Sequence, residues 1–119
     1  MKTTCKVNAN GDKAWYLNGK RHREEYANGD KAWWLNGKRH RVEYANGDKS
    51  WYLNDYYHRV DGPAIEWENG DKEWYLTGEL HRTDGPAIEY SNGKKEWYLH
   101  GKYITDDHLV WMVMQYENN

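Results

Sequence analysis

Apolar and polar residues alternate in short bursts along this chain. KAWYL (13–17), KAWWL (31–35) and KSWYL (49–53) each set Trp and Leu two residues apart with a second ring between them. Each burst ends in Asn18-Gly19, Asn36-Gly37 or Asn54-Asp55. Asn-Gly between alternating segments marks a β-hairpin, because a type I′ turn needs a positive φ at both central residues. A second Asn-Gly turn follows at Asn28, Asn46, Asn69 and Asn92. The pattern predicts an all-β fold, a single antiparallel meander sheet of about ten strands built from β-hairpin repeats.

The unit recurs five times. Trp15, Trp33, Trp51, Trp74 and Trp97 are equivalent, separated by 18, 18, 23 and 23 residues. The five extra residues are DGPAI at 61–65 and again at 84–88. Pro63 and Pro86 cannot donate to a sheet ladder, so this insertion is expected to bulge and bend the sheet, with Ile65 and Ile88 on the apolar side.

Two-residue turns would set the register. They put Trp15 opposite His22, Glu24 opposite Trp33 and Tyr26 opposite Lys31. One face then holds Trp15, Leu17, His22, Tyr26, Trp33, Leu35, Val42, Tyr44 and Trp51. It is the expected core, with Trp74, Trp97, His40, His58 and His81 in the matching places. The other face holds Tyr16, Arg21, Arg23, Trp34, Arg39, Arg41 and Tyr52, with guanidinium groups over rings at about 0.5–1 kcal/mol per exposed contact.

The last segment, YITDDHLVWMVMQYENN, leaves the repeat. Thr105 suits an N-cap, Asp106 and Asp107 a helix N-terminus, and Leu109, Met112, Val113 and Tyr116 a helical stripe. Residues 1–104 are read as the repeat sheet and residues 105–119 as a short α-helix capping it. About 11 residues of helix span about 16 Å, whereas ten strands span over about 40 Å, so the helix covers only the last few strands. Val110, Trp111 and Met114 lie off its stripe, and an all-round apolar helix expects burial on two sides. A homodimer, or a partner docked on the helix, is the expectation.

Composition changes the picture in one respect. Leu, Ile and Val total 15 of 119 residues and Phe is absent, but 8 Trp and 11 Tyr supply the missing apolar mass. Net charge is −2, with 17 Lys and Arg against 19 Asp and Glu, which gives no basic footprint for duplex nucleic acid. A single Cys, Cys5, fits a reducing compartment. With no apolar leader and no spanning segment, the expected location is cytoplasmic, without membrane attachment.

Candidate chemistry is thin. The repeat histidines sit two strands apart, about 9.5 Å, too far to share a metal. No nucleophile triad, HExxH or phosphate-cradling loop occurs, and a repeated motif suits a surface better than a catalytic centre. The reading is a protein-binding module, not an enzyme, needing no cofactor or metal. Its contact residues are Tyr16, Arg21, Trp34, Arg39, Arg41, Tyr52, Tyr56 and Tyr57, rich in the types that dominate interface hot spots. The alternative is a nucleotide or small-ligand sponge on the aromatic and arginine face.

The stretch NGDKEWYLTGELHRTDGPAIEYSNGKKEWYLHGK (69–102) resembles MORN-like repeats. The resemblance is to the W-Y-x-N-G-K-x-H-R-x-D-G-P-A type of small phage, viral and bacterial proteins. It spans residues 10–103. It implies a hairpin-repeat sheet and, by analogy with phage accessory proteins, a protein that binds and inhibits a host factor such as a defence-system component. The chain departs from that pattern in lacking DGPAI in the first two units, in Asn54-Asp55, in DYYHR at 55–59 and in His100.

Overall fold

The computed structural model describes residues 2–105, in which every regular element is a strand. These are β1 (Thr3–Val7), β2 (Lys13–Leu17), β3 (Lys20–Glu25), β4 (Lys31–Leu35), β5 (Lys38–Glu43), β6 (Lys49–Leu53) and β7 (Tyr56–Tyr57). They continue as β8 (Ile65–Glu66), β9 (Lys72–Glu73), β10 (Tyr75–Leu76), β11 (Glu79–Leu80), β12 (Ile88–Glu89), β13 (Lys95–Leu99) and β14 (Lys102–Ile104). Twelve form one antiparallel sheet in the order β1-β2-β3-β4-β5-β6-β8-β9-β12-β13-β14, with β7 also on β6; β10 and β11 pair separately. The proposed helix, with Val110, Trp111 and Met114, lies outside the described residues.

The sheet is long and thin, 56 × 32 × 18 Å. Its radius of gyration is 17.8 Å, against about 13 Å for a compact domain of 100 residues.

The first Asn-Gly of each unit is the tight turn anticipated. Asn18 and Gly19 have φ of 52° and 80°, Asn36 and Gly37 51° and 80°. Later turns keep this shape with less suitable residues: Asp55 has φ 69°, and Thr77 and His100 each 48°. Two histidines help hold them, since Thr77 N–H donates to His58 Nδ1 (2.9 Å) and His100 N–H to His81 Nδ1 (2.8 Å). Asp55 has only an exposed pair with Lys38 at 3.9 Å, worth little. Asp55→Gly should therefore stabilise the protein by about 0.5 kcal/mol, relief of left-handed strain outweighing glycine's entropy. A urea midpoint that stays put or falls would show Asp55 to be held by more than the turn.

The second Asn-Gly turn is longer than two residues. Tyr26 N–H donates to Asp30 C=O (2.8 Å) and Gly29 N–H to Tyr26 C=O (2.9 Å), so Glu25 rather than Tyr26 faces Lys31. Where an Asp follows this Asn-Gly, as in every unit but the last, it reaches the following turn. Asp12, Asp30, Asp48 and Asp71 accept from the N–H groups of Ala27, Ala45, Glu68 and Ser91 at 2.7–2.8 Å. The Ser91 N–H holds the Asp71 carboxyl below the usual carboxylate range.

A second correction concerns register. His22 is an extra residue in a β-bulge between Trp15 and Tyr16, so Trp15 faces Arg23 and not His22. His40 does the same between Trp33 and Trp34. A bulge returns the following residues to the opposite face from a simple alternation count. The faces therefore re-sort.

On one, the tryptophan face, Trp15, Arg23, Trp33, Arg41 and Trp51 follow one another across the strands. Beside them runs a ladder, Lys13–Glu25–Lys31–Glu43–Lys49–Glu66–Lys72–Glu89–Lys95, alternating in sign at every step. Opposite charges directly across a pair are stabilising. The other, the tyrosine face, carries a row of Ala14, Glu24, Ala32, Val42, Ser50, Ile65, Glu73, Ile88 and Glu96. Ala32, Val42, Ser50, Ile65 and Ile88 are buried.

The long units solve a different problem. Arg59 leaves the ladder and its Cζ lies 3.9 Å from the Trp51 ring centroid. The DGPA loop closes around it: Nε donates to Asp61 (3.0 Å), Nη1 to Pro63 C=O (3.1 Å) and Glu66 (3.0 Å). Arg82 repeats this on Trp74 with Asp84, Pro86 and Glu89. A Cβ at Gly62 or Gly85 would lie 3.0 or 2.8 Å from the guanidinium carbon, so a side chain there would push the arginine from its place in the loop. Ala64 and Ala87, both fully buried, give their carbonyls to the N–H groups of Trp51 and Trp74.

Candidate functional site

Three adjoining concavities open on the tyrosine face. Trp34 sits between two guanidiniums, Arg21 at 5.1 Å and Arg39 at 5.5 Å from its ring. Its Nε1–H donates to Glu24 (3.0 Å), which also accepts from the Tyr26 hydroxyl (2.8 Å). Alternation along β3 and β4 puts these groups on one side, and the bulge at His22 keeps Arg21 directly across from Tyr16.

Further along, Tyr52 stacks on Tyr57 at 5.1 Å and Tyr57 tilts against Tyr75 at 5.2 Å. The Tyr52 hydroxyl accepts from Ser50 Oγ (3.1 Å). Two cavities of about 550 and 410 Å³ adjoin here, sharing Asp30 and Tyr44. The first has Ala32, Val42, Tyr26 and Arg39 in its walls, the second Ser50, Ile65, Tyr57 and Trp67. A third, about 490 Å³, opens between Trp34, Arg39, Tyr52 and Asp55.

Four phenols here hold their protons more tightly than usual. Burial pushes Tyr26, Tyr44, Tyr57 and Tyr75 upward, helped by Glu24, Tyr52, Tyr52 and Glu73 respectively. A hydrogen bond to Glu96 pushes Tyr90 up to about 12. The site therefore offers rings, guanidiniums and hydroxyl groups that can donate. Among the described residues, no three His, Cys, Asp or Glu side chains are grouped so as to hold a metal ion, and no helix is long and apolar enough to cross a membrane.

Six of the residues singled out from sequence share this face: Tyr16, Arg21, Trp34, Arg39, Tyr52 and Tyr57. Arg41 lies on the opposite face, between Trp33 and Trp51. Tyr56 stands at the β6–β7 hairpin, 56% exposed, with its ring over Gly78. Trp15, Trp33, Trp51, Trp74 and Trp97 are half-buried on the tryptophan face, as are the bulge residues His22 and His40; His58 is half-buried and His81 buried. Sequence reasoning missed Tyr26, Tyr44, Trp67 and Tyr75 as site residues. Plain alternation, blind to the bulge at His40, puts Tyr44 on the wrong face, and the Asp after Asn-Gly at 12, 30, 48 and 71 was the available sign that those turns do not hold two residues.

His81 gives the fold a pH dependence. Burial, and then His100, push its pKa down, and its Nδ1 must be free of a proton to accept the His100 N–H. The folded pKa lies below the unfolded value of about 6.5. The neutral form's contribution is thus complete above about pH 6.5 and is lost as pH falls toward the folded pKa. Urea midpoints should drop between pH 7.5 and 5.5, and by less in His81→Gln. An equal drop in that variant would assign the titration elsewhere.

Comparison with protein-family models and with curated proteins found no match to this chain.

Proposed function

We propose that this protein is a non-enzymatic protein-binding module whose contact surface is the tyrosine face. The observation that carries the reading is the doubly guanidinium-flanked Trp34 beside adjoining open cavities. Tyr, Trp and Arg dominate interface hot spots because large rigid groups desolvate at low entropic cost. Tyr44, Tyr57 and Trp67, 41%, 37% and 41% exposed, extend that surface along the sheet. Membership of the MORN-like repeats, a host factor as the partner, a homodimeric state and a cytoplasmic location belong to the same proposal.

A tagged-protein pull-down with mass spectrometry tests it. One stoichiometric protein should be captured by the native chain and lost with Trp34→Ala or the exposed Arg39→Glu, both shown folded by circular dichroism. No captured protein, or equal capture by both variants, overturns the reading. The two adjoining cavities favour a second reading, capture of a nucleotide-sized ligand with Arg39 as anion contact. Nucleotide titration followed by Trp fluorescence decides it, since a flat response to about 1 mM removes ligands of useful affinity.

A further inference from the structure

The long units contain a completed version of a site that the short units leave half built. Arg59 and Arg82 each donate to three acceptors, two of them from the DGPA loop, and only 23% and 21% of each side chain is exposed. Arg23 and Arg41 also lie on tryptophan rings, at 5.0–5.6 Å. Each has one carboxylate, Glu25 or Glu43, through Nη2. Their Nε–H groups are buried with no acceptor, while 36% and 35% of their side chains remain exposed.

Charge separates the halves in the same sense. The Lys–Glu ladder alternates in sign through both halves, so the difference rests with the arginines. Arg59 and Arg82 bring their own Asp61 and Asp84, and Arg23 and Arg41 bring no such residue. The tryptophan face of the first two units therefore carries an excess of positive charge, Lys13, Arg23, Lys31, Arg41 and Lys49 against Glu25 and Glu43, with each Glu shared between an arginine and its lysine neighbours.

We infer that this face docks an acidic segment of a protein partner, whose Asp carboxylate and a following backbone carbonyl meet the Nη side of Arg23 or Arg41 that Glu25 or Glu43 leaves open, the Nε–H groups being closed to an incoming chain. The recognition is charge-assisted and directional, because a guanidinium matches a carboxylate with paired N–H groups. Trp15, Trp33 and Trp51 form the floor. The inference rests on the protein-binding reading but uses the opposite face from Trp34, so one can fail without the other.

The probe is the chain's own insertion, acetyl-Val-Asp-Gly-Pro-Ala-Ile-amide, titrated into ¹⁵N-labelled protein while the arginine Nε–H signals are followed. The Arg23 and Arg41 signals should move saturably and those of Arg59 and Arg82 should stay. The same peptide with Asn for Asp should bind at least about fivefold more weakly, and Arg41→Gln should weaken the native peptide. No movement at Arg23 and Arg41 to about 10 mM, a range that registers even contacts of a few kcal/mol, overturns the inference. Equal response to the Asn peptide, or at all four arginines, does so too. If the pull-down partner is held equally by Arg23→Gln/Arg41→Gln, this surface is removed and the protein-binding reading stands.

Discussion

Arg82→Ala should lower the free energy of unfolding by about 3 kcal/mol, summing a desolvated cation–π contact and charge-assisted hydrogen bonds. The guanidinium lies 3.9 Å from the Trp74 ring, and its bonds to Asp84, Pro86 C=O and Glu89 are 2.9, 3.1 and 2.8 Å. Its removal strips the loop's inner carbonyl of a donor and opens a gap over the indole. Arg23→Ala should cost only about 1 kcal/mol, since its side chain is more exposed and has one carboxylate partner. Urea titration of both at one pH and ionic strength makes the comparison. Equal losses would mean the DGPA loop supports itself and Arg82 merely rests on it.

Gly78→Ala should cost about 2 kcal/mol and Gly19→Ala about 1 kcal/mol, the latter being the price of left-handed backbone for a residue with a Cβ. Both glycines sit at the same place in a tight turn, with φ of 83° and 80°. Nothing lies within 4 Å of a Cβ on Gly19, whereas on Gly78 it would meet Tyr56 Cδ1 at 2.8 Å. The difference between the two variants measures what holds the Tyr56 ring in place. Equal costs would show that ring to swing aside freely, and Tyr56 would offer a partner no fixed surface.

Turn chemistry and period were legible because each is local. Asn18-Gly19 and Asn36-Gly37 announce their φ values, and the equivalent tryptophans mark every unit. Facing was not legible from alternation alone. One bulge residue, His22 or His40, is indistinguishable by type from a residue in regular pairing, yet it decides on which side Arg23, Arg41, Val42 and Tyr44 stand. The role of DGPAI was half legible. Pro63 and Pro86 excluded regular strand, and Ile65 and Ile88 are buried on the row of small residues. What the composition did not disclose is that Asp, Gly and a Pro carbonyl together enclose an arginine several residues earlier. The site followed the same division: Trp34 with its two arginines was readable strand by strand, and Tyr75 beside Tyr57 was not, because those rings come from different units.

The sign alternation of the Lys–Glu ladder bears on how such a chain can change length. A whole unit contributes two strands, hence one Lys and one Glu, and its duplication or deletion leaves every charge beside its opposite. Gain or loss of a single strand would set Lys beside Lys or Glu beside Glu at the junction, at a cost of up to about 1 kcal/mol, and would reverse the chain's direction for all that follows. The ladder thus acts as a parity check on recombination: genes that slip by whole repeats encode sheets that still close their charges, and genes that slip by half do not.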